Sequence, residues 1–205
     1  MEPWELFKLI QDVNYVTTGD DIDYLVFIRS GRAVLLFQES TSKRDWANNF
    51  NFPRKLYKDQ ERWLRIHRGY GDAWRTANDT IMEEFIAAAN IATDTPLIAG
   101  WSFGGAMAQL AAEDFNYRTG KIADVVTFGS PKVAGDLRTA KVIKASGNFE
   151  QYANVNDVVT ICPPFPWFHH INKIKVGQPG CLINLFNPEE YHYKYGDPTI
   201  YGGKS

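Results

Sequence analysis

Residues 96–113 read PLIAGWSFGGAMAQLAAE. An apolar run ending at Gly100 gives way to an alanine-rich one, and a lone serine, Ser102, stands at the change among Gly100, Gly104 and Gly105. Gly100-Trp101-Ser102-Phe103-Gly104 matches G-x-S-x-G. The five residues alone say little, because at ordinary Gly and Ser usage the pattern turns up by chance in roughly one chain in fifteen of this length. Context sharpens it. The motif needs a strand before it and a helix after it, and here Pro96–Gly100 reads as a short buried strand and Gly104–Tyr117 as a helix, with Gly120 as its stop. In that setting the serine sits on a strained turn that lifts its hydroxyl into a cleft, and the amide of Phe103, near a helix N-terminus, is placed to donate to an oxyanion.

The rest of the chain supplies a frame for such a turn. Asp23–Arg29 and Ala33–Gln38 are apolar runs joined by Ser-Gly-Arg and read as a hairpin. Thr41–Tyr57 reads as an irregular excursion with a short helix near Arg44–Asn49. A helix is predicted over Gly69–Thr93, a strand over Ala123–Phe128, a helix over Asp136–Ala145 capped by Asp136, and a strand over Glu150–Val155. Strands alternating with helices predict an α/β fold, a mostly parallel sheet with helices on both faces. At 205 residues the chain fits one domain, 1–205. Its net charge of -2, with acids and bases interspersed, gives no nucleic-acid footprint. No apolar run approaches the ~18 residues of a transmembrane span. MEPWELFKLI lacks a basic segment followed by a long apolar core, so no signal peptide is expected. A cytoplasmic setting is then the default, with secretion the alternative for a trimmed chain. Cys162 and Cys181 read either as two free thiols in a reducing compartment or as a disulfide.

A serine hydroxyl is a poor nucleophile at neutral pH. It needs a base, and the base needs an orienting acid. After this kind of turn the chain order is Ser, then Asp or Glu, then His. Asp157 follows QYANVN, where a strand-end loop would present it. Asp124 opens a strand, the wrong end for such a site, and Asp136 has a simpler role as a helix cap. His67 precedes the serine and is out of order. His169, His170 and His192 follow it, and spacing leaves His170 and His192 both open as the base. This chemistry requires no metal or cofactor.

Six motifs in order resemble the class 3 lipase family, the α/β-hydrolase group that includes small fungal triacylglycerol lipases, over roughly Val34 to Tyr195. FQESTSKRDWANNF (37–50) resembles its oxyanion strand and lid stretch, F-R-G-S/T-x-S-x-x-D-W. IHRGYGDAW (66–74) resembles V-H-x-G-F-x-x-A-W, and GWSFGGAMAQLAA (100–112) resembles G-H-S-L-G-G-A-x-A-x-L-A-A. TFGSPKVAG (127–135) resembles T-F-G-x-P-R-V-G-N, NVNDVV (154–159) the acid motif, and HYKY (192–195) the closing H-x-x-Y. The resemblance implies Ser102 as nucleophile, Asp157 as acid and His192 as base. It implies that Ser40 and Phe103 form the oxyanion hole. It leaves His170 outside the catalytic set and His67 in a structural motif.

Three departures stand out. Gln38-Glu39 replaces Arg-Gly, and a carboxylate beside an oxyanion site would oppose the charge that develops there. Trp101 replaces the customary histidine of the elbow. The chain is also shorter than most members, which implies a reduced N-terminal helical region. Trp46, Phe50 and Phe52 fall in the candidate lid, and Trp101, Trp167 and Phe168 complete a candidate acyl groove. These aromatics imply a lipid or other apolar ester as substrate, with transient contact with a lipid surface. Two other readings stand beside this one: a short-chain esterase, thioesterase or phospholipase on the same triad, and a lipid- or protein-binding module without catalysis, for which Glu39 is the best support.

Overall fold

The computed structural model describes residues 1–18, 22–39, 54–59, 62–164, 171, 173–178 and 188–202. Its centre is a seven-stranded sheet of order β1-β2-β3-β6-β7-β8-β9. The strands are β1 (Val16–Thr18), β2 (Ile22–Arg29), β3 (Arg32–Phe37), β6 (Leu97–Trp101), β7 (Ala123–Phe128), β8 (Gly147–Asn154) and β9 (Ile174–Val176). β2 pairs antiparallel with both β1 and β3, and from β3 to β9 every pairing is parallel. A separate hairpin pairs β4 (Arg54–Asp59) with β5 (Arg62–His67). The helices are α1 (Pro3–Asp12), α2 (Arg68–Ile91), α3 (Phe103–Thr119), α4 (Leu137–Ala145) and the short α5 (Pro188–His192).

The sequence explains why the sheet is covered on both sides. In β3, Leu35 and Phe37 join one core with Trp74, Phe85, Met107 and Phe115, while Val34 and Leu36 join another with Leu6, Phe7 and Ile10. In β6, Ile98 joins the first core, and Leu97, Ala99 and Trp101 join the second. Strands buried on both faces read as continuous apolar runs rather than alternating ones. One layer is α2, α3 and α4; the other is α1 with the C-terminal turns around Tyr195.

Element ends follow their caps. Asp136 accepts the Thr139 amide proton at 2.7 Å and starts α4, as its sequence position predicts. Gly120, at φ 68°, closes α3 in the left-handed conformation.

Besides the short β1, β9 and α5, two elements lie beyond the sequence reading: α1 and the β4–β5 hairpin. α1 carries Pro3 in its first turn, the Glu2 amide donates to the Glu5 carboxylate at 3.0 Å, and Leu6, Phe7 and Ile10 form its buried stripe. Those were legible helix signals. The β4–β5 hairpin corrects the end of the irregular excursion read over Thr41–Tyr57, since Arg54–Tyr57 is strand. Its Lys and Arg residues mask the alternation of β5, where Leu64 and Ile66 are buried and Trp63 and Arg65 exposed. The short helix expected near Arg44–Asn49 lies outside the described residues.

Candidate active site

Ser102 follows the last residue of β6 and precedes the first of α3, at φ 56° and ψ -120°. A side-chain-bearing residue in that conformation costs of order 1–3 kcal/mol and persists only where its surroundings enforce it. Here the Ser102 amide donates to Phe128 O at 2.9 Å, which ties the turn to the end of β7. The glycines let strand and helix close on each other. A Cβ on Gly100 would stand 2.1 Å from Gly104 O, and one on Gly104 would stand 2.4 Å from Gln38 O. One on Gly105 would stand 2.7 Å from Ser130 Cβ. The serine therefore sits among glycines because no other residue type fits the space beneath it.

The same contacts bring the end of β3 against the first turn of α3. The Phe103 amide is the first of that helix, and the first amides of a helix have no partner within it. With the helix dipole behind it, this end of α3 favours negative charge. Ser40, the other expected oxyanion donor, lies outside the described residues.

Asp157 and His192 form a buried pair. Asp157 Oδ2 lies 2.8 Å from His192 Nδ1, and both side chains are fully buried. The carboxylate is held from two further directions: Val159 N donates to Oδ1 at 3.0 Å and the Tyr195 hydroxyl donates to Oδ2 at 2.7 Å. The Tyr195 oxygen in turn accepts the Asn154 amide proton at 2.9 Å. Burial first, and then the Asp157 charge, pushes the Tyr195 phenol well above its ordinary range, so it stays a donor. A carboxylate held this way accepts the Nδ1 proton of His192 and leaves Nε2 as the basic nitrogen.

Gly129, at φ 58°, lies beneath the pair. A Cβ there would fall 2.7 Å from His192 Cε1 and 2.8 Å from Asp157 Oδ2. It directly follows Phe128, the residue that holds the Ser102 amide, so the pair stands beside the elbow. Gly129→Ala is expected to destabilise the fold by about 2–4 kcal/mol, left-handed strain plus overpacking. Urea denaturation measures this; a loss below about 0.5 kcal/mol would show that the imidazole can step aside.

Trp101 completes the wall. Its Nε1 donates to His192 O at 3.2 Å, and its ring lies 5.6 Å from the imidazole and 4.7 Å from Tyr193. It is buried in the α1-side core with Phe7. Phe103 is half-buried, with its ring 5.9 Å from Tyr70. The other aromatics expected in the lid and groove, Trp46, Phe50, Phe52, Trp167 and Phe168, lie outside the described residues, as do His169 and His170.

The remaining candidates have other partners. Asp124 pairs with Arg32 at the far end of the sheet, Asp136 caps α4, and His67 is buried against the Tyr70 ring at 4.2 Å. Cys162 carries a free thiol, pushed up by burial, and Cys181 lies outside the described residues. Behind Asp157, Lys173 donates to Thr160 O at 2.7 Å, and burial, helped by the Lys132 charge, brings its amine down to about 8. Among the described residues, no group of three or more His, Cys, Asp or Glu side chains is gathered to hold a metal ion. Nor is any helix among them long and apolar enough to cross a membrane.

Sequence reasoning did not assign Tyr195, Gly129 or Tyr193 a part in this arrangement. The H-x-x-Y spacing was the signal for Tyr195. Gly129 had none beyond its place in TFGSP, and the part played by Tyr193 exists only in three dimensions.

The site can be set beside known proteins. The family described as Lipase (class 3) matches residues 34–167. A secreted mono- and diacylglycerol lipase 1 from Fusarium solani is 31% identical over 133 residues, covering 64% of this chain and 39% of that protein. A secreted mono- and diacylglycerol lipase A from Penicillium cyclopium is 29% identical over 155 residues, covering 74% of this chain and 50% of that one. The chain thus spans about half the length, or less, of these relatives. The fold matches that of a Rhizomucor miehei lipase propeptide complex with a TM-score of 0.71 at 20% identity, covering 81% of this chain and 55% of that one.

Proposed function

Because the chain belongs to the class 3 lipase family and has its α/β-hydrolase fold, we propose that it hydrolyses carboxylic esters of lipids through an acyl-enzyme, with residues 1–205 acting as one catalytic domain. The observation that carries this reading is the placement of a serine in a strained left-handed turn beside a buried Asp–His pair.

In this mechanism His192 Nε2 takes the proton of Ser102 as Oγ attacks the ester carbonyl. Asp157 keeps the imidazole in the reactive tautomer and stabilises the imidazolium as it forms. The Phe103 amide, with Ser40, receives the oxyanion, aided by the N-terminal end of α3. His192 then protonates the leaving alcohol, and water, activated by the same imidazole, frees the acyl group from Ser102. All of the acid–base work is done by these side chains. An acylglycerol or similar lipid ester fits the mono- and diacylglycerol lipases that this chain resembles and the aromatic residues Trp46, Phe50, Phe52, Trp167 and Phe168, which serve here as lid and acyl groove in contact with a lipid surface, whereas Trp101 is buried in the core and braces His192 instead.

The test combines labelling with substrate length. A fluorophosphonate is expected to modify Ser102, located by peptide mass spectrometry, because it reports an activated serine. Rates on p-nitrophenyl esters from acetyl to palmitoyl should rise toward the longer acyl chains. Absence of labelling sinks the catalytic reading. Labelling with a preference for acetyl keeps the triad and replaces lipase by short-chain esterase.

A further inference from the structure

Glu39 poses a problem that the triad does not answer. It precedes Ser40 in the chain, and Gln38, on its other side, touches the first turn of α3 through its carbonyl. Glu39 is one residue beyond that contact, and the amides that open α3 attract negative charge. Its carboxylate would bind there as an internal anion, in the place where the oxyanion must form.

One of its partners lies elsewhere. The Tyr193 hydroxyl donates to Glu39 Oε1 at 2.7 Å. Tyr193 is itself braced: its ring meets Trp101 edge-on at 4.7 Å, and the Trp101 indole donates to the carbonyl of the neighbouring His192 at 3.2 Å. The chain that departs from the family pattern at Glu39 departs from it again at Trp101, and Tyr193 joins the two. We propose that Tyr193 is a positioning residue that holds the Glu39 carboxylate away from the oxyanion amides. Glu39 and Tyr193 then act as a latch between the oxyanion strand and the segment that carries the base. This inference rests on the proposed hydrolase reading.

Four proteins test it: wild type, Tyr193→Phe, Glu39→Gln and the double variant, assayed on a soluble p-nitrophenyl ester and labelled with a fluorophosphonate. Tyr193→Phe keeps the ring on Trp101 and removes only the hydroxyl. It is expected to lower kcat about tenfold with KM within about twofold, since the loss falls on transition-state stabilisation. In the Glu39→Gln background the same change should cost less than about twofold, because no charge is left to restrain. Equal losses in both backgrounds, a change in KM alone, or no loss overturns the inference and leaves the triad standing. A wild type that neither hydrolyses esters nor takes the label overturns both. Should Tyr193→Phe not fold, Glu39→Asp shortens the acid by one methylene and breaks the same contact. It is then expected to show the same fall in kcat, and an unchanged kcat overturns the inference.

Discussion

Ser102→Ala is expected to lower kcat on p-nitrophenyl esters by about 10⁶ while leaving the fold intact. The side chain lost is one hydroxyl. The turn is held by the Ser102 amide on Phe128 O and by the glycines around it, none of which alanine disturbs. The activity left over is what the oxyanion amides and binding supply without a nucleophile. Steady-state assays beside circular dichroism on the same preparation measure both quantities. A variant that kept a tenth of the activity would place the nucleophile elsewhere, because no positioned water replaces a serine at that efficiency.

The second largest loss is expected from Asp157→Asn, about 10⁴ in kcat. The direction follows from how the carboxylate is held. Val159 N donates to Oδ1, so an asparagine turns its carbonyl oxygen that way and places its amide nitrogen where Oδ2 was. That nitrogen then donates to His192 Nδ1, where the carboxylate had accepted. The imidazole is forced into the tautomer that carries its proton on Nε2, and the base can no longer take the serine proton. The Tyr195 hydroxyl loses its acceptor in the same step. A loss below tenfold would mean that His192 is oriented by something other than Asp157. The proton on Nδ1 can be followed directly by NMR, so the structural cause and the kinetic effect can be read separately.

Much of this was legible before any coordinates. The elbow was readable because its strand, its serine and its helix are contiguous, so local sequence carries the whole device. Ala123–Phe128, the α4 cap at Asp136 and the stop at Gly120 were readable for the same reason. Asp157 and His192 are 35 residues apart and come from different elements. Spacing alone left His170 open beside His192, and only an ordered set of motifs separated them. The hairpin of β4 and β5 is hidden by its charges, whereas Pro3 and the Leu6-Phe7-Ile10 stripe announce α1. Tyr193 was invisible for a deeper reason. Its partner Glu39 is 154 residues away, and neither residue belongs to a pattern that would pair them.

Twelve of the seventeen residues of α3 are buried, so Ser102 opens an element packed on nearly every side. His192 ends a helix of five residues, far too short to persist without its tertiary contacts. Ser102 and His192 therefore ride on parts of unequal durability. On warming, the segment around His192 is expected to come away while the sheet and α3 remain folded, so hydrolysis fades at temperatures where far-ultraviolet ellipticity has not moved. Cooling should bring the segment back to an undamaged seat. Heat would then act on the proposed activity first as a reversible switch and only later as a denaturant.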